Sequence, residues 1–337
     1  MLYATTRNSQ ETFTAHWAMT GDRAPDGGFF VPYRQPYFEK SHLDDFLSMS
    51  FLEVTAEVLN VIFGTKLTHW DLLFSGGSSP VRMERIDRRT FSGERWRNTG
   101  WTFSSYARQI MKLISGEEGD LSIWGEIGVS AAVLFSMVME LRKAEILKPD
   151  ETITVAAAAE DPKIAVSCLY AKAWGLPIGH VVCGCLESRG LWSLIHDGQM
   201  QTDFLEPDSK TVDGLEMLLN AEASQAEVGR FLYNVKRGRA YVLQEPLKKK
   251  FHGDLSAAVI GGRRILETLP GIYQTHGCIP GVDGALAYAA LLDHRAVTGS
   301  GNLGLILSDR SPALDGEIVS QSLGMDPETL MKTLGRS

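Results

Sequence analysis

The chain has 337 residues, 44% of them hydrophobic and 22% charged, the profile of a soluble globular protein with room for one large or two ordinary domains. A formal net charge of −8 with no long basic run excludes a surface built to neutralise a nucleic-acid backbone. Four cysteines in a chain of this length do not make a disulfide framework, and a reducing cytoplasm is the expected setting.

The opening MLYATTRNSQ lacks the apolar core of a secretion signal, and the apolar stretch 131–139 is shorter than the about 20 residues of a bilayer span, so no membrane partner is expected. Ser41 and Ser50 precede apolar-periodic stretches as N-caps, and the second helix stops at Gly64. Gly76, Gly77 and Pro80 mark a loop leading to a short strand. From Phe103 to Gly116 the residues Tyr106, Ile110, Leu113 and Ile114 recur at helical spacing, with Gly116 as the stop. A further helix is expected over 129–147. Then TITVAAAA, DPKIAVSCLYAKAWG and IGHVVCG read as a βαβ unit, with Gly175 and Pro177 in its turn. Helices over 256–269 and 283–295, the apolar run LGLILS and a last helix capped at Asp326-Pro327 complete the chain. Strands alternating with helices argue for a parallel sheet covered on both faces.

Near the start stand Tyr3-Ala4-Thr5-Thr6-Arg7 and, after Gly21, Ala24-Pro25-Asp26-Gly27-Gly28-Phe29-Phe30-Val31-Pro32. Together they resemble the opening of the threonine-synthase family, Y-x-S-T-R-G followed by G-L-x-x-D-G-G-L-Y-V-P. Tyr170-Ala171-Lys172 with Trp174-Gly175-Leu176-Pro177 is similar to the family's A-K-x-x-G-L-P turn. Asp283-Gly284-Ala285-Leu286-Ala287-Tyr288 resembles its H-x-A-V-A-Y helix start, and Leu307 to Ala313 stands where the family has G-T-A-H-P-A. The resemblance implies the fold-type-II α/β architecture of pyridoxal-phosphate enzymes (tryptophan-synthase-β-like), a parallel sheet with helices on both faces and a truncated small domain. It implies an N-terminal domain with the remnant small domain over 1–148 and a C-terminal α/β domain over 149–337.

Where the family carries F-H-G-P-T-x-A-F-K-D, this chain reads Trp96-Arg97-Asn98-Thr99-Gly100-Trp101-Thr102-Phe103-Ser104-Ser105, which aligns Ser104 with the Schiff-base lysine. A serine has no amine and cannot form an imine. The phosphate-binding P-S-G-N-F-G turn is replaced by Ala157-Ala158-Ala159-Glu160-Asp161-Pro162-Lys163, which has no glycine and two carboxylates. There Asp161 is expected as an N-cap occupying the N–H groups a phosphate would use. Trp124-Gly125-Glu126-Ile127-Gly128 stands for the family's S-G-D-T-G loop with only its glycines kept.

The expectation is therefore a threonine-synthase-like protein without pyridoxal phosphate or any other cofactor, acting as a non-catalytic pseudoenzyme or binding protein. A cofactor-independent enzyme on the same scaffold, and an active pyridoxal-phosphate lyase with a relocated lysine, stay open beside it. The pocket candidates are Ser104, Ser105, Arg108, Trp124, Glu126, Asp161, Asp283 and Asp309, with Arg108 and Arg310 the nearby cations. Their balance favours a small neutral or cationic amino-acid-like ligand, and a homodimer or a protein partner stays open. Trp96, Trp101 and Trp124 are expected as core aromatics near the former cofactor loops. Cys183-Gly184-Cys185, with Cys168, His276 and Cys278, fits no standard zinc spacing, so buried packing is expected and no metal.

Overall fold

In the computed structural model, residues 1–337 are described except 77–80, 98–101, 117–120, 160–161, 208 and 337, and the side chains of 75, 76 and 336. Short runs of Ile, Val, Leu and Ala, bounded by turns, form a six-stranded sheet. Its order is Leu255–Val259, Ile178–Cys185, Ile153–Ala158, Leu303–Ser308, Thr90–Glu94, Arg82–Asp87. The first five strands run parallel, and Arg82–Asp87 closes the far edge antiparallel. Every residue of Leu303–Ser308 is buried, as a central parallel strand covered on both faces requires.

Helices supply that cover. Ile123–Lys143, Lys163–Ala173 and Phe51–Phe63 build the larger apolar core on one face. Gly262–His276, Gly281–Thr298 and Gly316–Leu323 build a smaller one on the other. Two antiparallel sheets lie outside this sandwich. Leu2–Thr5 is flanked by Phe13–Thr14 and Phe30–Pro32, and Gln199–Met200 pairs with Tyr241–Val242. Strands from before residue 149 and after it share the six-stranded sheet.

Local chemistry explains most boundaries. Ser50 accepts the Glu53 N–H while the Glu53 carboxylate accepts that of Ser50, a capping box, and the helix ends at Gly64 with φ of 68°. Gly116, at φ of 73°, ends Phe103–Ser115 in the same left-handed way. Asp326 accepts the Thr329 N–H at 2.9 Å before the last helix, Pro327–Arg336.

Three expectations need correction. The first short helix begins at Lys40 and is capped by Glu39 in a box with His42, so Ser41 lies inside it. The segment 124–128 is not a loop but the opening of Ile123–Lys143, because Ser122 caps there and accepts the Gly125 N–H at 3.0 Å. The helix expected over 256–269 is a strand, Leu255–Val259, followed by Gly262–His276. A five-residue apolar run suits either state, and the parallel ladder with Ile178–Cys185 decides it. Ile123–Lys143 also exceeds the expected apolar length. It is long and apolar enough to cross a bilayer, and 83% of its most apolar window is buried in this fold.

Candidate functional site

A cleft of about 510 Å³ opens at the carboxyl ends of the central strands, where open α/β sheets place their ligands. Its floor comes from the ends of Ile153–Ala158 and Leu303–Ser308 and from Arg95, just past Thr90–Glu94. Its walls are the first turns of Phe103–Ser115, Ile123–Lys143, Lys163–Ala173 and Gly281–Thr298. Leu186, Val282, Leu286 and Leu307 give it an apolar side.

Three of those helix starts meet at one carboxylate. The Ser104 hydroxyl donates to Oε1 of Glu126, and the Lys163 ammonium pairs with Oε2. Glu126 is 16% exposed and Lys163 19%, so the pair is only partly wet. Below it, Arg95 is 1% exposed and grips Asp309 with two parallel bonds, Nε to Oδ1 at 2.6 Å and Nη2 to Oδ2 at 2.7 Å. Its Nη1 donates to Ser130 at 2.7 Å, and its guanidinium lies 4.1 Å from the Phe103 ring centre. At the rim, Arg310 faces Asp315 at 3.5 Å.

Asp283 opens onto the cleft half-buried. It accepts the N–H groups of Asp309 at 2.6 Å, Gly284 at 2.8 Å and Arg310 at 3.1 Å, and the Ser308 hydroxyl at 3.2 Å. The protein packed around it, and then the Asp309 charge, push its carboxyl up to about 7 against the pull of those N–H groups. Among the described residues the lining thus holds Glu126, Asp283, Asp309 and Asp315 against Lys163, Arg95 and Arg310. Each of these cations already faces a carboxylate.

Of the residues singled out in the sequence, Ser104, Glu126, Asp283 and Asp309 line this cleft together. Ser105 does not line it and sits 3.1 Å from the Thr102 hydroxyl. Arg108 is exposed and is not part of the lining. Trp124 is 1% exposed among Tyr3, Tyr170 and Trp174, a core aromatic, and Trp96 is 6% exposed. Asp161, Glu160, Trp101, Gly77 and Pro80 lie outside the described residues. The cations require correction, because Arg95 and Lys163 line the cleft in place of Arg108. Lys163 was legible as the residue after Pro162 at a helix start, whereas nothing local marks Arg95.

Gly125 and Gly128 serve packing. A Cβ on Gly128 would stand 2.7 Å from Cζ of Phe63, and one on Gly125 would stand 2.9 Å from Cγ of Met111. The four cysteines are buried free thiols, with burial pushing Cys168 up to about 12 and Cys183 upward as well. No group of three or more metal-ligating side chains exists among the described residues.

Residues 2–73 match the family model described as "Threonine synthase N terminus". No curated protein matches the chain in sequence. Among solved structures, pyridoxal-phosphate-bound threonine synthase from Brucella melitensis superposes with a TM-score of 0.82 at 16% identity, covering 100% of this chain and 95% of that one. Threonine synthase from yeast gives 0.81 at 14% identity over 98% and 93% of the two chains. That from Escherichia coli gives 0.70 at 16% identity over 99% and 94%. The N-terminal segment is thus of the threonine-synthase type, and the fold throughout is the fold-type-II fold of those enzymes.

Proposed function

We propose that this threonine-synthase-like chain does not use pyridoxal phosphate and binds a small neutral or cationic amino-acid-like ligand in the cleft, as a non-catalytic relative of its fold. The observation that carries this reading is the closed set Ser104, Glu126 and Lys163. At the position aligned with the cofactor lysine stands a hydroxyl, already donated to Glu126. The one amine lining the cleft among the described residues, Lys163, is neutralised by the same carboxylate. To attack an aldehyde it would have to leave that pair.

The phosphate fits no better. A bound phosphate adds roughly two negative charges, and each cation of the lining is held by a carboxylate of the same lining. Inside a partly dry cleft a further anion is repelled by a few kcal/mol at an effective dielectric near ~20. An ammonium group would meet Asp283, the carboxylate of the lining that faces no cation among the described residues, and an apolar wall for a short side chain.

One preparation tests both halves. Protein incubated with pyridoxal phosphate, reduced with borohydride and mapped by mass spectrometry is expected to carry no stoichiometric pyridoxyl-lysine. A full-yield label on Lys163 would overturn the reading. In a thermal-shift comparison of amino acids, simple amines and amino-acid phosphates, the phosphates are expected to give no stabilisation, and stabilisation by phosphates alone would count against it equally.

A further inference from the structure

Among the described residues, three ion pairs stand in the cleft lining: Glu126 with Lys163, Asp309 with Arg95, and Asp315 with Arg310. The remaining carboxylate of that lining, Asp283, has no cation of its own and lies half-buried beside the Asp309 carboxylate. Its charged surroundings come from several elements. Asp309 and Arg310 follow Leu303–Ser308, Asp315 ends the turn Pro312–Asp315, and Arg95 follows Thr90–Glu94. Glu126 and Lys163 stand on the facing helices. Every cation in this set already faces another carboxylate, so the lining is one positive charge short when Asp283 is ionised. A carboxylate partly removed from water beside a like charge takes up a proton or a cation to remedy that.

The hydrogen bonds around Asp283 accommodate either. The Ser308 hydroxyl has one hydrogen and two acceptors in reach, the Pro280 carbonyl at 2.6 Å and Oδ1 of Asp283 at 3.2 Å. When that hydrogen goes to Pro280, Ser308 Oγ is left as an acceptor, and a protonated Oδ1 donates across the 3.2 Å contact. When it turns to Asp283, it meets the ionised carboxylate. One hydroxyl thus serves both states, and the N–H groups of Gly284, Asp309 and Arg310 hold the carboxyl in place in each.

Resting on the reading of the cleft as a site for an ammonium-bearing ligand, we propose that Asp283 exchanges a proton for that ammonium, so that entry of an amine expels the proton this carboxyl carries in the ligand-free protein. The O–H bond of Asp283 breaks, its proton leaves to water, and the electron pair left on oxygen accepts an N–H of the incoming cation. The lining is neutral before the exchange and neutral after it. Because its surroundings hold the Asp283 carboxyl up to about 7, the proton is in place in mildly acidic solution. Affinity for an amine is then expected to rise about tenfold from pH 5 to pH 6 and to level off above about pH 8. Acid empties the cleft of cations, and neutral pH admits them.

The test is isothermal titration calorimetry of the full chain with n-butylamine, a cation throughout the range used, in buffers of different ionisation heat. About one proton released per amine bound at pH 6, falling to almost none at about pH 8.5, is the expected result. Amine binding without proton release overturns the exchange and leaves the cleft an amine site. A cleft that takes no amine at any pH overturns both. Asp283→Asn keeps the shape of the carboxyl without its exchangeable proton. It should bind n-butylamine at least about tenfold more weakly and release no proton, and undiminished binding would overturn Asp283 as the anchor. Should that variant fail to fold, infrared spectroscopy of the parent protein decides. A protonated-carboxyl stretch at pH 6 that n-butylamine bleaches supports the exchange, and a stretch that is absent, or unaltered by bound amine, refutes it.

Discussion

Glu216, on the helix Lys210–Glu222, and Asp283, on Gly281–Thr298, are carboxylates held by protein groups, and their partners differ in kind. Glu216 is fully buried and met by charge. Arg7 reaches it through Nη2 at 2.8 Å and Nε at 3.1 Å, and the Thr6 hydroxyl donates to the same carboxylate. Asp283 is met by dipoles, three N–H groups and a hydroxyl, and its charged neighbour is another carboxylate, Asp309. A carboxylate balanced by a guanidinium fastens two distant stretches of chain, here the opening segment and a helix some two hundred residues later. One buried without a counter-charge, and beside a like charge, becomes a group that titrates near neutrality even though its N–H dipoles pull the other way.

The largest expected effect falls on the first region. Glu216→Ala leaves the partly exposed Arg7 guanidinium and the Thr6 hydroxyl without their acceptor and should cost about 2–3 kcal/mol of unfolding free energy in urea titrations. A loss under about 1 kcal/mol would mean that the N-terminal segment is fastened by packing alone. The second effect concerns Asp283, whose folded pKa of about 7 lies above the unfolded value near ~3.9. Between these values the folded state holds the extra proton. Its contribution is therefore full below about pH 4 and is lost as pH rises through 7, with a slope of at most about 1.4 kcal/mol per pH unit. Asp283→Asn should flatten the stability profile across that window relative to the parent protein, and superimposable profiles would place the titration elsewhere. The smallest effect separates charge from geometry at Glu216. Arg7→Lys keeps the charge but loses the two-pronged grip, and should cost about 1 kcal/mol in the same urea titration. A cost matching that of Glu216→Ala would make the geometry decisive.

The sequence was most readable where one local rule acts alone. Ser50 with Glu53, Gly64, Gly116 and the buried run LGLILS announce their elements through caps, left-handed turns and continuous apolarity. Reading failed where tertiary contacts arbitrate. LSAAV is a strand because Ile178–Cys185 lies beside it, and the glycines at 125 and 128, which admit Met111 and Phe63, masked a helix start that Ser122 caps. The cleft was half legible for the same reason. Ser104, Glu126, Asp283 and Asp309 followed from motif positions, but Arg95 enters through Asp309, more than two hundred residues away in sequence, and no local pattern carries that pairing.

The two glycines of the Ile123–Lys143 helix also have a mechanical meaning. Gly128 admits the edge of the Phe63 ring and Gly125 the Met111 side chain, so the thickness of a ring and a thioether sets how far that helix stands from its neighbours. Glu126 rides between the two notches, and one residue's turn around the helix aims it away from them toward Ser104 and Lys163. The core therefore acts as a spacer gauge for the cleft. A methyl group added at either notch presses against Phe63 or Met111 in the dry interior, so the geometry of Glu126 with Ser104 and Lys163 is set from the core, without any change to a cleft side chain.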